Sequence, residues 1–417
     1  MRDGDPMAET ILETALRYAA AKPPAEVQTV MRLSALDWAA CGIAGAAEGS
    51  FAPWAGTLGG TGPCVGFDGA RCGPAEAALV NGTLSHALDY DDTHFAHIGH
   101  PSVVVMSAAL AVGQARGGAL SEVLDAALVG AEASVAVGLW LGRGHYQMGL
   151  HQTATAGAFG ACVAAARLLH LSDTQQRHAL GLCASMASGL KAQFGTMGKP
   201  LNAGLAARAG VEAALWAEAG LTGAGDGMAA FGAAHHGAGT AVPFAWRMQD
   251  VSHKFHACCH GLHAALEAVR GADLAAAQRV QVWTHPRWLS VCHQPSPDTG
   301  LGVKFSYRHV LAMAALGHST ADINGFDDDC ARDPALVAWR ARVEVQGDAS
   351  LSDMQARVEV DGVTYTHDLA AAMPYAARTA RVRAKAEMLI GPRARDIWEA
   401  LEANDLARFA LALQPGA

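Results

Sequence analysis

Apolar residues recur at three- and four-residue spacing along the chain as far as about Ala241, the period of helices that bury one face. Gly, Pro or a capping Asp, Ser or Thr separates successive segments. The segments are ETILETALRYAA, AEVQTVMRLSALDWAACGIAG, AEAALVNGTLSHALDY, SVVVMSAALAVGQAR, SEVLDAALVGAEASVAVGLWL, AGAFGACVAAARLLHL, TQQRHALGLCASMASGL and AGLAARAGVEAALWAEAG. No run in this region alternates as a strand does, so we predict an all-helical body.

Beyond Ala241 the pattern changes to alternation of β-branched and polar residues. Segments 279–286, 341–347 and 356–369 have the period of half-buried strands, and YRHVLAMAALGHST between them is helical. Helical periodicity returns at about Thr379. We therefore predict a mainly α protein. A large all-helical domain comprises residues 1–248 and 379–417, and a smaller α+β domain, residues 249–378, is inserted before the C-terminal helices.

Composition narrows the class of protein. The 417 residues are 51% apolar with a net charge of −9, and a chain of this length is expected to form two domains. The acidic balance and the absence of a Lys/Arg run argue against nucleic-acid binding. No apolar run reaches a membrane span, and the N-terminus lacks a signal peptide. Nine cysteines without a CxxC pair indicate reduced thiols, so we expect a cytoplasmic protein.

Ionisable residues concentrate in HALDYDDTHFAHIGHPS, which runs from His86 to Ser102 in a chain of only 17% charged residues. Asp89 ends a polar stripe of the preceding helix, whereas Asp91 and Asp92 are typical of loop and cap positions. A carboxylate beside several cations stays ionised, and it can act as a base or orient a histidine.

Cationic residues stand at three predicted helix starts. Proline is favoured at the first helical position, so Pro101 makes His100 the N-cap of its helix. His151 precedes a second helix, and Lys199 directly precedes Pro200 near the start of a third. A cation there is unfavourable by a few tenths to about 1 kcal/mol. One such residue is unremarkable, but three together predict a pocket for a carboxylate or phosphate.

The segment SHKFHACCHGLHAA invites a metal-site interpretation. Its cysteines, Cys258 and Cys259, are adjacent, so both thiolates would reach one tetrahedral ion only with strain. No second cysteine pair has zinc-finger spacing, and no phosphate-binding or dinucleotide motif is present. We predict no metal and no cofactor, with Lys254 directed into the site.

Five blocks of the sequence resemble, in order, the signature motifs of the MmgE/PrpD family. They are ALVNGTLSHALDYDDTH, GHPS, GLHQTATAGAFGACVAAARLL, GTMGKPLNAGLAARAGVEAALWAEAGLTG and KFHACCHGLHAALEA. The family contains 2-methylcitrate dehydratase, cis-aconitate decarboxylase and iminodisuccinate epimerase. The resemblance implies a helical domain, a smaller α+β lid domain, a homodimer, and catalysis without metal or organic cofactor.

The resemblance also implies the pocket residues. Carried over motif by motif, they are Asp89, Thr93, His100, His151, Lys199, Lys254 and, more loosely, Tyr307 in KFSY. Cys259 stands where the decarboxylase has a lid histidine, and Ala257 replaces an expected proline. The pieces GRGHYQMGLHQT, FGTMGKP and KFS look nearer the epimerase.

Within that resemblance His100 is the predicted acid/base, because its unperturbed pKa lies nearest neutrality. Asp89 would hold its tautomer or act as partner base, with His151 and Tyr307 as further proton donors. The predicted substrate-binding residues are Thr93, Lys199, Lys254 and Cys259.

We predict a lyase that acts on a di- or tricarboxylate by dehydration or decarboxylation. One alternative is an epimerase that inverts a carbon next to a carboxylate. Another is a non-catalytic protein that binds carboxylates or metal.

Overall fold

The computed structural model describes residues 9–416. These residues form two compact units. The first runs to His253 and resumes at Ile390, and the second is Lys254–Leu389. The predicted boundaries, after residues 248 and 378, fall earlier in the chain than these. The last helix before Ile390 belongs to the second unit, where its Arg381 pairs with Glu267.

Helices dominate the described chain, so the protein is mainly α. Their bounds are α1 (Ile11–Ala20), α2 (Ala25–Ala47), α3 (Ala52–Ala55), α4 (Pro74–His86), α5 (Pro101–Arg116), α6 (Leu120–Gln147), α7 (Gln152–Leu168), α8 (Asp173–Cys183), α9 (Gly198–Glu218), α10 (Gly227–Ala234), α11 (His263–Ala268), α12 (Pro286–Leu289), α13 (Gly300–Val303), α14 (Tyr307–Ala315), α15 (Asp328–Arg332), α16 (Pro334–Arg340), α17 (Tyr375–Ile390), α18 (Arg393–Ala403) and α19 (Leu406–Ala412). Each of the helical segments predicted before Ala241 is confirmed.

Helices α4, α5, α6, α7 and α9 form the core of the first unit. Small residues let their backbones approach closely: a Cβ on Gly130 of α6 would lie 2.6 Å from the carbonyl oxygen of Gly160 in α7. Helix α6 alone among the described helices is long and apolar enough to cross a membrane, but 83% of its apolar window is buried within the protein. Burial of this kind is typical of a core helix.

One detail of the all-helical prediction for this unit is wrong. Strands β1 (Cys64–Val65) and β2 (Arg71–Cys72) pair as an antiparallel hairpin between α3 and α4. Each strand has two residues, which is too short for a period-two pattern to register in the sequence.

The second unit contains a four-stranded sheet with the strand order β4-β3-β5-β6. The strands are β3 (Val280–Thr284), β4 (Val343–Gly347), β5 (Gln355–Val360) and β6 (Val363–Asp368). Strands β3 and β4 are parallel, whereas the other two pairs are antiparallel. Asp361 and Gly362, both with positive φ, form the tight turn between β5 and β6. The three predicted strand segments are confirmed, and the longest forms this hairpin.

Candidate active site

The histidine–carboxylate cluster of the first unit comprises His86, Asp89, Asp91, His100, His151 and Lys199. Its members come from the end of α4, the loop that follows, the residues that directly precede α5 and α7, and the first turn of α9. The rings of His86 and His100 lie 4.5 Å apart, and those of His86 and His151 lie 6.1 Å apart. The fold thus brings together Asp89, His100, His151 and Lys199, which are widely separated in sequence.

The starts of three helices meet at this cluster. His100 and His151 are the N-caps of α5 and α7, and Pro101 occupies the first turn of α5, as predicted. Neither histidine caps its own helix with its side chain, so both rings are directed elsewhere. The amide N–H of His100 donates to Oγ1 of Thr153 in α7 at 3.1 Å, which ties the two starts together.

Gly99 makes this close approach possible. A Cβ at this position would lie 2.9 Å from both the amide nitrogen and Oγ1 of Thr153. Any larger residue would therefore push the start of α5 away from the start of α7.

Asp89 follows α4 in a left-handed backbone conformation with φ 50. Its Oδ1 lies 2.7 Å from Nζ of Lys199 and 3.4 Å from Nε2 of His100. The side chains of Asp89 and Lys199 are 37% and 17% exposed, so solvent reaches the pair. Asp89 is the most accessible carboxylate of the cluster, and it links a cation from α9 to the predicted acid/base.

Asp91 lies between two histidines in the buried part of the cluster. Its Oδ2 is 2.7 Å from Nδ1 of His100, and its Oδ1 is 2.9 Å from Nδ1 of His86. The carboxylate therefore orients both rings through the same ring atom. It leaves Nε2 of His100 directed towards Asp89 and the accessible side of the cluster.

These contacts determine the protonation states of the cluster. Burial alone would raise the pKa of Asp91, but His100 and His86 outweigh burial and hold that pKa well below its usual range. Burial lowers the pKa of His100 to about 4, although Asp91 opposes this change. Burial, reinforced by His86 and Lys199, lowers the pKa of His151 well below its usual value. At neutral pH the protein without substrate therefore presents an ionised Asp91 with neutral His100 and His151.

His151 is held by a further amide. Its Nδ1 lies 3.3 Å from Nδ2 of Asn202 in α9. On another side, the ring of Phe194 packs edge-on against His151 at 4.9 Å. The Nζ of Lys199 lies 5.4 Å from the centre of the same phenyl ring. Phe194 thus contributes an apolar wall to a polar cluster.

Two neighbouring residues lie beside the cluster. Asp92 is buried and accepts hydrogen bonds from the hydroxyls of Ser34 at 2.7 Å and Ser102 at 2.5 Å. Burial and the nearby Asp37 raise the pKa of Asp92 to about 7. Thr93, half-buried, exchanges backbone hydrogen bonds with Ser252 at 2.9 and 2.8 Å. Asp92 anchors the start of α5, and the backbone of Thr93 anchors the loop.

Four residues of the cluster have side-chain atoms of the kind that bind metal ions. Ligand atoms of His86, Asp89, Asp91 and His100 lie within 4.8 Å of one another. However, the ammonium of Lys199 already contacts Asp89 at 2.7 Å and would repel a bound cation. Lys199 therefore speaks against a metal ion bound through Asp89.

The remaining predicted site residues belong to the second unit. Lys254 is buried there, and the backbone N–H of Cys259 donates to the carbonyl of Lys304 at 2.9 Å. The hydroxyl of Tyr307 is buried; it donates to the carbonyl of Gly261 at 2.7 Å and lies 2.9 Å from Oγ1 of Thr284. Burial raises the pKa of Tyr307 well above its usual value. These contacts hold the Tyr307 hydroxyl within the second unit, and its role as a proton donor stays a prediction.

Comparison with known proteins decides the family. Residues 9–237 match the MmgE/PrpD N-terminal domain, and residues 256–383 match the MmgE/PrpD C-terminal domain. The chain belongs to the MmgE/PrpD family. The resemblance inferred from the five motif blocks is confirmed.

Individual relatives are named as decarboxylases. The chain is 30% identical over 283 residues to the cis-aconitate decarboxylase-like protein oryM of Aspergillus oryzae, which covers 59% of the chain and 57% of that relative. It is 26% identical over 313 residues to a cis-aconitate decarboxylase of Aspergillus terreus. This match covers 64% of the chain and 62% of that relative. It is 36% identical over 159 residues to the Homo sapiens cis-aconitate decarboxylase. This match covers 37% of the chain and 33% of that relative. The match thus spans less than two thirds of each of these relatives.

The sequence pattern assigns no role to His86, Asp91, Phe194 or Asn202. It places Asp91 among loop and cap residues, and it marks His86 only as the first residue of the dense segment. The signal that could have found both is that density itself, in a chain otherwise poor in charge. Density alone cannot select them, because His94 and His97 of the same segment bond to Arg247 and Ser134 instead.

Proposed function

We propose that the protein is a metal- and cofactor-independent lyase that acts on a di- or tricarboxylate by transferring a proton next to a carboxylate-bearing carbon. The observation that carries this proposal is the Asp91–His100–Asp89–Lys199 arrangement at the meeting point of three helix starts. Membership in the MmgE/PrpD family and relatives named as decarboxylases support a lyase-type enzyme.

Carboxylate binding is assigned to the cationic side of the cluster. The amino ends of α5, α7 and α9 carry positive partial charge. Lys199 adds a full positive charge on a side chain that is 17% exposed. A substrate carboxylate would compete with Asp89 for the ammonium of Lys199. Such charge-assisted contacts supply orientation as well as affinity.

Proton transfer is assigned to Nε2 of His100. Before substrate binds, His100 is neutral because its pKa lies at about 4. A bound polycarboxylate adds negative charge nearby, which raises this pKa and favours the imidazolium. Asp91 stabilises that imidazolium through Nδ1, 2.7 Å away. Substrate binding would therefore charge the acid that the reaction needs.

Decarboxylation and dehydration both fit this assignment. In decarboxylation the bond to one carboxylate breaks, CO₂ leaves, and the electron pair moves towards a neighbouring carboxyl group before the carbon takes the proton of His100. In dehydration a base removes the proton next to the carboxylate, and hydroxide leaves with a proton as water. Stabilising the charge that develops on the neighbouring carboxylate is common to both.

Several predictions from the sequence remain part of the proposal. We propose substrate-binding roles for Thr93, Lys254 and Cys259, a homodimer, and a cytoplasmic location. Lys254→Gln should raise KM for the verified substrate, and sedimentation of the purified protein should give the mass of two chains.

The experiment is a substrate screen in D₂O followed by NMR. Citrate, 2-methylcitrate, cis-aconitate and iminodisuccinate are each incubated with the full-length protein. Loss of CO₂ with deuterium at the carbon that carried it supports a decarboxylase, and loss of water supports a dehydratase; either result supports the lyase. His100→Gln should lower kcat by ~10²–10⁴-fold, whereas His170→Gln, on the exposed surface, is the matched control and should leave it unchanged.

An epimerase is the second candidate, favoured by the segments that look nearer the epimerase of the family. Inversion requires proton-transferring groups on two faces of a carbon, and His151 would then serve opposite His100. Deuterium exchange with inversion and no loss of mass would replace the lyase proposal with this one. Tight binding without exchange would overturn both.

A further inference from the structure

Two cysteines of the second unit face each other directly. Sγ of Cys292 lies 3.1 Å from Sγ of Cys259, although 33 positions separate the two residues in sequence. Cys292 is fully buried, and Cys259 is partly exposed. An accessible thiol with a second thiol within reach is the arrangement of a redox-sensitive cysteine and its resolving partner.

The backbone holds both residues in place. The N–H of Cys259 donates to the carbonyl of Lys304 at 2.9 Å, and that of Cys292 donates to the carbonyl of Trp288 at 2.8 Å. Gly261 leaves room for the contact, because a Cβ at that position would lie 2.9 Å from Sγ of Cys292. The fold therefore fixes the backbone at both cysteines and leaves space for the two sulfur atoms to approach.

The two thiols differ in reactivity. Burial, and the neighbouring Cys259, raise the pKa of Cys292 well above its usual value, so Cys292 stays protonated at neutral pH. Cys259 is only partly buried, so it is the more accessible member of the pair to a dissolved oxidant. The attacking and resolving roles are thereby divided between them.

We propose that Cys259 and Cys292 form a reversible disulfide when the protein meets a hydroperoxide. The thiolate of Cys259 attacks one peroxide oxygen, the O–O bond breaks, and Cys259 becomes a sulfenic acid. The sulfur of Cys292 then displaces the sulfenic oxygen, which leaves as water with the proton of the Cys292 thiol. For hydrogen peroxide, two thiols lose two electrons and two protons, and the peroxide becomes two molecules of water. A dithiol reduces the disulfide back to two thiols and is itself oxidised to a disulfide.

The disulfide does not depend on the proposed function, but its consequence does. Cys259 is a proposed substrate-binding residue, and oxidation removes its free thiol and fixes its sulfur on Cys292. The oxidised protein should therefore bind the polycarboxylate more weakly, so that KM rises. Formation of the disulfide and its effect on KM are measured separately.

The test is a peptide map of the full-length protein after limiting hydrogen peroxide and alkylation of the remaining thiols. We expect a cross-linked species that joins the Cys259 peptide to the Cys292 peptide. Its mass should be the sum of the two reduced peptides less two hydrogen atoms, and dithiothreitol should remove it. The fully buried pair Cys162 and Cys183 should stay reduced. A Cys258–Cys259 disulfide, or over-oxidation of Cys259 without a cross-link, would overturn the proposal.

Two variants sharpen the result. In Cys292→Ser the resolving thiol is absent, so Cys259 should accumulate as sulfenic acid that a dimedone probe traps. Cys330→Ser is the matched control, because Cys330 is also partly exposed but belongs to a different contact, and the cross-link should form as in the wild type. Should Cys292→Ser fail to fold, the wild-type map alone decides. A cross-link without any change in KM would overturn the coupling to substrate binding.

Discussion

Replacing Asp91 by Asn tests the central contact of the cluster. The variant keeps the shape of the side chain and removes the charge that lies 2.7 Å from Nδ1 of His100. Two unit charges about 4 Å apart interact by about 4 kcal/mol at an effective dielectric constant of about 20. The amide oxygen of Asn can still accept from Nδ1 and retains part of this energy. We expect a net loss of ~2–3 kcal/mol of transition-state stabilisation, a ~30–160-fold fall in kcat.

The assay is initial-rate kinetics on the verified substrate, with circular dichroism and thermal melting to show that the variant is folded. Asp92→Asn is the matched control. Asp92 is the next residue, equally buried, but it bonds to Ser34 and Ser102 and not to a histidine of the cluster. Its kcat should stay within about threefold of wild type. A folded Asp91→Asn protein with wild-type kcat, or equal losses in both variants, would refute the role given to Asp91.

Three further predictions follow from the same region. Lys199→Gln should raise KM by ~10-fold or more with a smaller change in kcat, because it removes a charge-assisted contact to the substrate; an unchanged KM would show that Lys199 serves only Asp89. The folded protein keeps a proton on Asp92 up to a pKa of about 7, whereas the unfolded chain releases it near 3.8, so its contribution to the free energy of unfolding falls as pH rises between these values. Asp92→Asn should accordingly melt higher relative to wild type at about pH 8 than at about pH 5, and a constant difference across pH would contradict the raised pKa. Gly99→Ala should lower the free energy of unfolding by about 1–3 kcal/mol in urea titrations, since its methyl group would press on Thr153; unchanged stability would show that α5 and α7 can separate freely.

Helices and strands that carry a full period of pattern could be predicted from the sequence. Apolar spacing located α4 to α9, and the alternation of Val343 to Gly347 located β4. The β1–β2 hairpin could not be predicted, because strands of two residues contain no period. The boundary between the second unit and the C-terminal helices could not be predicted either. Helix α17 continues the helical pattern of the C-terminus, but its Arg381 pairs with Glu267 of the second unit.

Site residues that break a local rule can be predicted from the sequence. Contacts that form only in the tertiary structure cannot. His100, His151 and Lys199 stand at helix starts where a cation is unfavourable, and this conflict is visible in the sequence. The pairing of Asp91 with His86 depends on the left-handed turn at Asp89, which no spacing rule provides. Likewise the partner of the Tyr307 hydroxyl is a backbone carbonyl, that of Gly261, which sequence cannot choose.

The convergence of α5, α7 and α9 has a consequence for how this scaffold can change. Peptide dipoles at the three helix starts belong to the main chain, so substitution of a side chain leaves their positive potential in place as long as the helices remain packed. Attraction for an anion is thus built into the scaffold, whereas the proton chemistry depends on a few exchangeable side chains such as Asp91 and His100. A variant could therefore lose or alter its reaction and still concentrate the same class of acid at the same place.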